Sequence, residues 1–416
     1  MDKLILKINR LLTPQRMKYP WFIGGASWIG WLISLLAGKG NTDLAGHLIG
    51  TDFVAFYTAG KIILMGRSPE LYSLELAHSI QQGLYGVSSL NFNPYLNPPH
   101  YALWMVPFAL IPYPWAPLIW IGLGLVCLWL SMKWLGAEHP TRSFLGALTW
   151  LPVFYAASFG QNSFFSLAIF SLTYYLWARK RSLLAGLVYS LLLFKPQFLI
   201  GFGLLLLFDW RKSWRALLGL GLGCLAQIGF NLWLLPQASL EYLTYALKIN
   251  ANLMSIEGFP MWHAYSVQAF WLALLPSLKW LAQILYLGCA MFGLYFVWRF
   301  SKDHRNDKPI LFAGAVGWLV WSLPYLMIYD WTLLLVPALL LWKHAPTYRQ
   351  QWRAIFAFLW VMSFSFVLTF GQLIILPFAV QLSLPALFLA LFIAFRTLQK
   401  SAREPEPPGV LPSVVG

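Results

Sequence analysis

Carboxylates are scarce in this chain: 14 Asp and Glu stand against 29 Lys and Arg in 416 residues, and charged residues of all kinds make up 10%. With 59% hydrophobic residues and a mean hydropathy of +0.64, so little charge excludes an ordinary water-soluble globular domain. Cysteine is nearly missing too. Cys127, Cys224 and Cys289 each fall inside an apolar run, which excludes a disulfide framework and leaves the redox compartment open. No Cys/His cluster has zinc spacing, and there is no Walker loop and no glycine-rich turn between a strand and a helix. An Asp-x-Asp pair is also lacking, since Asp43 and Asp52 are too far apart to make one, so neither a metal nor a cofactor is expected. Nothing marks any Ser as an activated nucleophile. The net charge of +15 is split into short basic clusters between apolar runs, a topology signal that excludes a nucleic-acid surface.

What is present is apolar length. The sequence predicts an all-α polytopic membrane protein of about twelve transmembrane helices, at roughly 21–38, 114–135, 143–158, 162–178, 183–194, 197–208, 214–234, 279–298, 309–328, 331–342, 354–372 and 376–395. With the N-terminus in the cytoplasm, 23 of the 29 Lys and Arg fall on the inner side, as the positive-inside bias requires. The first apolar run has no convincing small-residue cleavage site and is expected to stay as an anchor. Pro98 to Pro112, broken by Pro107, is too short for a span and is expected to lie as a re-entrant or interfacial helix. The expected organisation is then a cytoplasmic amphipathic N-terminus over 1–20, one membrane domain over 21–400, and a disordered cytoplasmic tail over 401–416. Within that domain, a first outer loop covers 39–113 and a second outer segment 235–278.

On this threading the unusual polar residues gather at the outer face, where an ionisable group next to hydrocarbon is a functional candidate by default. Asp52 in Gly50-Thr51-Asp52-Phe53 has two readings: a cap for the helix that follows, or a general base that takes a proton from an acceptor hydroxyl. Lys195 interrupts an apolar run and either snorkels to the interface or holds a lipid phosphate, with Lys61 and Arg67 as the other outer cations available to that phosphate. Gln161, with Asn162, is a turn-former or a substrate contact, and Gln197 sits at a similar outer turn. Asp330 is a helix cap, a contact to sugar hydroxyls or a structural partner for Lys195. His263 is an interfacial histidine or a substrate contact.

These residues fall in an ordered series that resembles glycosyltransferase family 87. The series comprises Asp52-Phe53, Phe56-Tyr57-Thr58-Ala59-Gly60, Gly66-Arg67-Ser68-Pro69-Glu70-Leu71-Tyr72, Asn97-Pro98-Pro99, Gly160-Gln161-Asn162, Lys195-Pro196-Gln197 and Tyr329-Asp330, together covering roughly residues 20–345. The chain departs from the family's usual Tyr-Pro-Pro at Asn97-Pro98-Pro99 and from Gly-Gly-Asp-Pro at Gly66-Arg67-Ser68-Pro69. The resemblance implies a GT-C-like bundle with interfacial helices in the first outer loop, and a polyprenyl-phosphate-linked sugar as donor. It implies Asp52 as the base of an inverting transfer, Lys195 at the donor phosphate, and Tyr57 among the substrate-binding residues.

The expectation is therefore a membrane hexosyltransferase, with mannose as the first candidate sugar. It would act on a glycolipid or cell-envelope glycan acceptor at the outer face of a bacterial plasma (inner) membrane. A lipid-linked sugar translocase or a transporter without catalysis is the rival reading. A secondary transporter would favour charges at mid-membrane depth and half-repeats, and no internal repeat is visible.

Overall fold

The computed structural model describes residues 2–85, 92–208, 210–255 and 259–401. All regular structure among them is helical, with no strand. Five helical stretches are long and apolar enough to cross a membrane: Arg16–Ala37, Ala116–Trp134, Trp210–Leu234, Lys279–Asp303 and Pro346–Ile375. The remaining apolar helices, among them Ser163–Ala178, Ser182–Phe194, Pro196–Leu207, Lys308–Ser322 and Ser383–Gln399, are shorter. The twelve expected spans are therefore not all present as helices of spanning length.

The shortfall has local causes. The run expected as one span over 143–158 is two helices, Pro140–Leu148 and Leu151–Ser158, separated by an extended Trp150. Pro152 lies in the first turn of the second helix, where its missing N–H costs nothing, but it could not sit inside a continuous one. Ser182–Ser190 tightens into a 3-10 turn over Leu191–Phe194 and stops at Lys195, because Pro196 starts a new segment. The expected span at 331–342 begins as a 3-10 helix over Ile328–Leu334 before Leu335–His344 becomes α-helical. Residues 376–382 are not helical, and the last helix runs Ser383–Ser401. The tail expected over 401–416 lies outside the described residues apart from Ser401.

Helix Pro99–Ala109 has 11 residues, roughly 16 Å at 1.5 Å per residue, about half a hydrocarbon core. It packs on helix Phe53–Leu64, where a Cβ on Gly60 would lie 2.8 Å from the Met105 carbonyl oxygen. The Ser182–Ser190 and Trp210–Leu234 helices approach still more closely. A Cβ on Gly186 would fall 2.0 Å from the Ala216 carbonyl oxygen, and one on Gly219 2.1 Å from that of Leu183. Small residues at a helix crossing let backbones touch, the usual means of holding helices together where lipid removes the hydrophobic drive. Lipid contact also accounts for the bare outer surfaces of the long helices, with Leu36, Leu225, Trp233, Met291 and Ile375 all exposed.

Candidate functional site

The site is built where helices break. Gly50 and Gly160 both adopt left-handed backbone, φ +66°, in two turns that lie back to back. A Cβ on Gly160 would meet the Phe53 Cβ at 2.7 Å and the Gly50 Cα at 3.3 Å, so glycine is needed there for space as well as for conformation. The contact lets the Asp52 and Phe53 N–H groups donate to the Phe159 carbonyl at 2.9 and 3.2 Å. One turn thus presents Asp52 and the other presents Gln161.

Asp52 occupies the N-cap position of helix Phe53–Leu64, but its carboxylate makes no capping hydrogen bond. Instead the Gln161 Nε2 donates to Asp52 Oδ2 at 2.7 Å and also lies 3.0 Å from the Tyr329 hydroxyl. Burial pushes the Asp52 carboxyl up from 3.8 to about 6, and a nearby Asp330 adds to the rise. The Gln161 hydrogen bond, the Lys195 ammonium and the Tyr329 hydroxyl pull the other way. At neutral pH roughly nine-tenths of such a group is ionised, so it is a carboxylate close to the point of accepting a proton.

Lys195 projects from the break between two 3-10 segments, and its ammonium donates to Asp330 Oδ1 at 2.7 Å. The pair is deep, with side chains 12% and 4% exposed. The Ser163 hydroxyl donates to the same Asp330 oxygen at 2.9 Å, and the Met327 N–H reaches the other at 3.3 Å. Asp330 is thus satisfied on both oxygens and acts as a partner for Lys195, one of the roles its position suggested. An ammonium has three donors, and among the described residues only Asp330 takes one, so two are open to a ligand.

A cavity of about 670 Å³ joins these groups. Asp52, Gln161, Asn162, Lys195, Gln197, Tyr329 and Asp330 line its polar part, and Leu74, Phe92, Leu96, Ile249, Leu253 and Phe259 its apolar part. Five residues singled out in the sequence, Asp52, Gln161, Lys195, Gln197 and Asp330, therefore meet at one place although they span nearly 280 positions.

Four others do not line it. The Tyr57 hydroxyl donates to the Ile111 carbonyl at 3.0 Å, and its ring stands edge-on to Tyr113 at 5.0 Å, which fixes it in helix packing. Lys61 lies 5.4 Å from the Tyr57 ring of its own helix, and Arg67 is held by Glu70 in an exposed local pair with Nε to Oε1 at 2.7 Å. His263 is wedged among Tyr155, Phe159, Trp262 and Phe366, and burial pushes its imidazole down to about 4, leaving it neutral.

Some lining groups were given no role of their own in the sequence. Tyr325 and Tyr329 supply phenols beside Asp52, and Asn93 ties the lining to the Asp52 turn by donating to the Thr51 carbonyl at 2.7 Å. Asn97 does the same for the Lys195 segment, donating to the Phe194 carbonyl at 2.9 Å. Asn97 stands in the Asn97-Pro98-Pro99 motif, and Asn93 four positions earlier carries no mark beyond that spacing. Among the described residues, no group of three or more His, Cys, Asp or Glu could hold a metal.

A helical protein with several membrane-length helices and a carboxylate and an ammonium facing one cavity has the parts of a membrane-bound group-transfer enzyme. The chain belongs to glycosyltransferase family 87, whose profile matches residues 95–328, more than half its length. The matched stretch contains Gln161, Lys195 and Gln197; Asp330 lies just past its end, and Asp52 lies well before its start. No curated protein and no solved structure matches the chain. It is a membrane glycosyltransferase, and a bilayer, a sugar donor and an acceptor are its partners.

Proposed function

We propose that this glycosyltransferase moves a hexose, mannose first among the candidates, from a polyprenyl-phosphate carrier to an acceptor hydroxyl at the outer face of the membrane, with Asp52 as general base. The observation that carries the reading is the half-buried Asp52 carboxylate facing a cavity with both polar and apolar lining that Lys195 also enters, where desolvation pushes its pKa up to about 6. A base works best when its pKa lies just below the working pH, and this one does so without a histidine.

The acceptor oxygen attacks the anomeric carbon on the face opposite the phosphate. As the new C–O bond forms, the bond to the phosphate oxygen breaks, the phosphate leaves with that electron pair, and Asp52 takes the acceptor proton. The result is inversion at the anomeric carbon. The two free donors of Lys195 meet the charge growing on the phosphate, which is where fixed electrostatics lowers a barrier most. Leu74, Phe92, Ile249, Leu253 and Phe259 offer the apolar wall that the first isoprene units need. Full GT-C topology with twelve spans, and the cytoplasmic placing of both termini, belong to the same proposal.

The test uses purified protein, a panel of radiolabelled polyprenyl-phosphate hexoses and membrane-lipid acceptors. The wild type should transfer one sugar strongly, while Asp52→Asn should retain donor binding and lose turnover by a factor of 10² or more. Undiminished transfer by Asp52→Asn removes Asp52 from the role of base. Binding of the lipid-linked sugar without transfer under any acceptor would favour the translocase reading.

A further inference from the structure

The amphipathic N-terminal segment takes no part in the sugar chemistry, and its two sides are built differently. Helix Asp2–Leu11 is fixed to the body along one side. Ile5 is buried, Ile8 packs beside it, and Asn9 Nδ2 donates to the Gln350 carbonyl at 2.9 Å. Arg353 closes the same seam with a hydrogen bond to the Leu12 carbonyl. Positions 5, 8, 9 and 12 are one helical face, so the helix cannot roll to hide the other.

That other side exposes Leu6 and Leu11, each half accessible, alternating with exposed Lys7 and Arg10. Arg16, Met17 and Lys18 continue it, all exposed. Reached from helix Asp2–Leu11 across a turn over 12–15, these three open the first spanning stretch, Arg16–Ala37, whose outer surface is almost wholly uncovered, with Tyr19 and Trp21 exposed. None of the four cations has a carboxylate partner among the described residues; the Arg16 guanidinium donates to the Leu11 carbonyl at 3.2 Å. A membrane boundary at Tyr19 places this mixed side in the headgroup layer, where leucines reach the acyl boundary and cations reach phosphates.

We infer that residues 5–19 form an in-plane docking surface for anionic phospholipid headgroups, with Lys7, Arg10, Arg16 and Lys18 as the phosphate-facing cations. The body-facing side preorganises the helix, so headgroup contacts need not fold it first. The surface is independent of the sugar reading and stands or falls separately.

The test is hydrogen–deuterium exchange of full-length protein in nanodiscs of dioleoylphosphatidylcholine alone or mixed equally with dioleoylphosphatidylglycerol. Cations near an anionic surface each contribute enough to change an opening equilibrium about fivefold, so amides over 5–18 should exchange at least roughly tenfold slower in the anionic discs. Lys7→Gln/Arg10→Gln/Arg16→Gln/Lys18→Gln should lose the difference, and Lys7→Arg/Lys18→Arg should keep it. Peptides from Arg349–Met362 report whether the variant helix is still docked. The wild-type comparison decides alone if it is not. Equal exchange in the two discs overturns the inference, as does the same slowing by soluble glycerophosphoglycerol added to the neutral discs.

Discussion

Replacing Gln161 with Leu separates two roles that the residue could play. Its amide donates to Asp52 Oδ2 at 2.7 Å, and a hydrogen bond to an ionised group is worth about 1.5–3 kcal/mol. At about 1.36 kcal/mol per pKa unit, its loss raises the Asp52 carboxyl by roughly one to two units, from about 6 towards 7 or 8. Leu also makes the surroundings less polar, which moves the carboxyl in the same direction. The ionised fraction at pH 7 then falls from roughly nine-tenths to between a half and a tenth, so kcat/KM should drop roughly two- to tenfold at pH 7 and recover by about pH 9. The assay is kcat/KM for sugar transfer across pH 5–9, with the acid limb read for each enzyme. Tyr329→Phe should shift that limb in the same direction by less, since the Tyr329 hydroxyl is the weaker influence on Asp52. An acid limb that stays near pH 6 in Gln161→Leu, with activity lost equally at every pH, refutes the tuning role and makes Gln161 a substrate contact.

Asp52→Asn removes a carboxylate whose folded pKa lies above its unfolded value. The wild type loses stability as pH rises from about 4 to 6, so the variant should be more stable by roughly 1–3 kcal/mol at pH 8 and indistinguishable below pH 4, measured by thermal unfolding in detergent. Lys195→Met leaves Asp330 buried and unpaired and should cost about 3–5 kcal/mol, whereas Lys195→Met/Asp330→Leu should recover most of that stability without recovering transfer. Recovery of transfer by the double variant would remove Lys195 from the chemistry. With a donor phosphate bound, a further negative charge faces Asp52, so the acid limb of kcat should lie above that of kcat/KM; coincident limbs would place the phosphate elsewhere. On the proposed threading, cysteines placed at Thr42 and Lys180 in a background lacking Cys127, Cys224 and Cys289 should label from opposite sides of the membrane, and labelling from one side would reverse half the topology.

Much of the cavity was legible because its residues sit where the sequence itself signals a break. Gly160-Gln161-Asn162, Lys195-Pro196-Gln197 and Tyr329-Asp330 each interrupt an apolar run, and a polar group at such a point has no bland place to go. Lys61 and Arg67 share the loop of Asp52 but satisfy themselves locally. The Arg67 to Glu70 spacing of three is a helical-turn pairing that could have been read in advance. His263 was misleading for the opposite reason, since its aromatic neighbours Tyr155 and Phe366 come from segments about a hundred residues away on either side. The role of the Tyr329 hydroxyl depends on Gln161, which lies 168 positions earlier, and no local pattern encodes that meeting. In the fold, apolar length was clear, but the continuity of a span was not. Pro152 divides a run whose hydropathy alone reads as unbroken.

The back-to-back turns at Gly50 and Gly160 have a bearing on how this enzyme can change. A Cβ on Gly160 would strike Phe53 and the Gly50 backbone of the opposing segment, and one on Gly50 would strike Pro117 and its own Phe53; a side chain at Gly160 is therefore tolerated only if the opposing segment retreats, and retreat unhooks both N–H groups from the Phe159 carbonyl. Mutational drift must therefore move the two loops as a unit. Libraries aimed at new sugars or acceptors will keep more active members if they freeze both glycines and vary the apolar wall around Leu74, Phe92 and Leu253 instead.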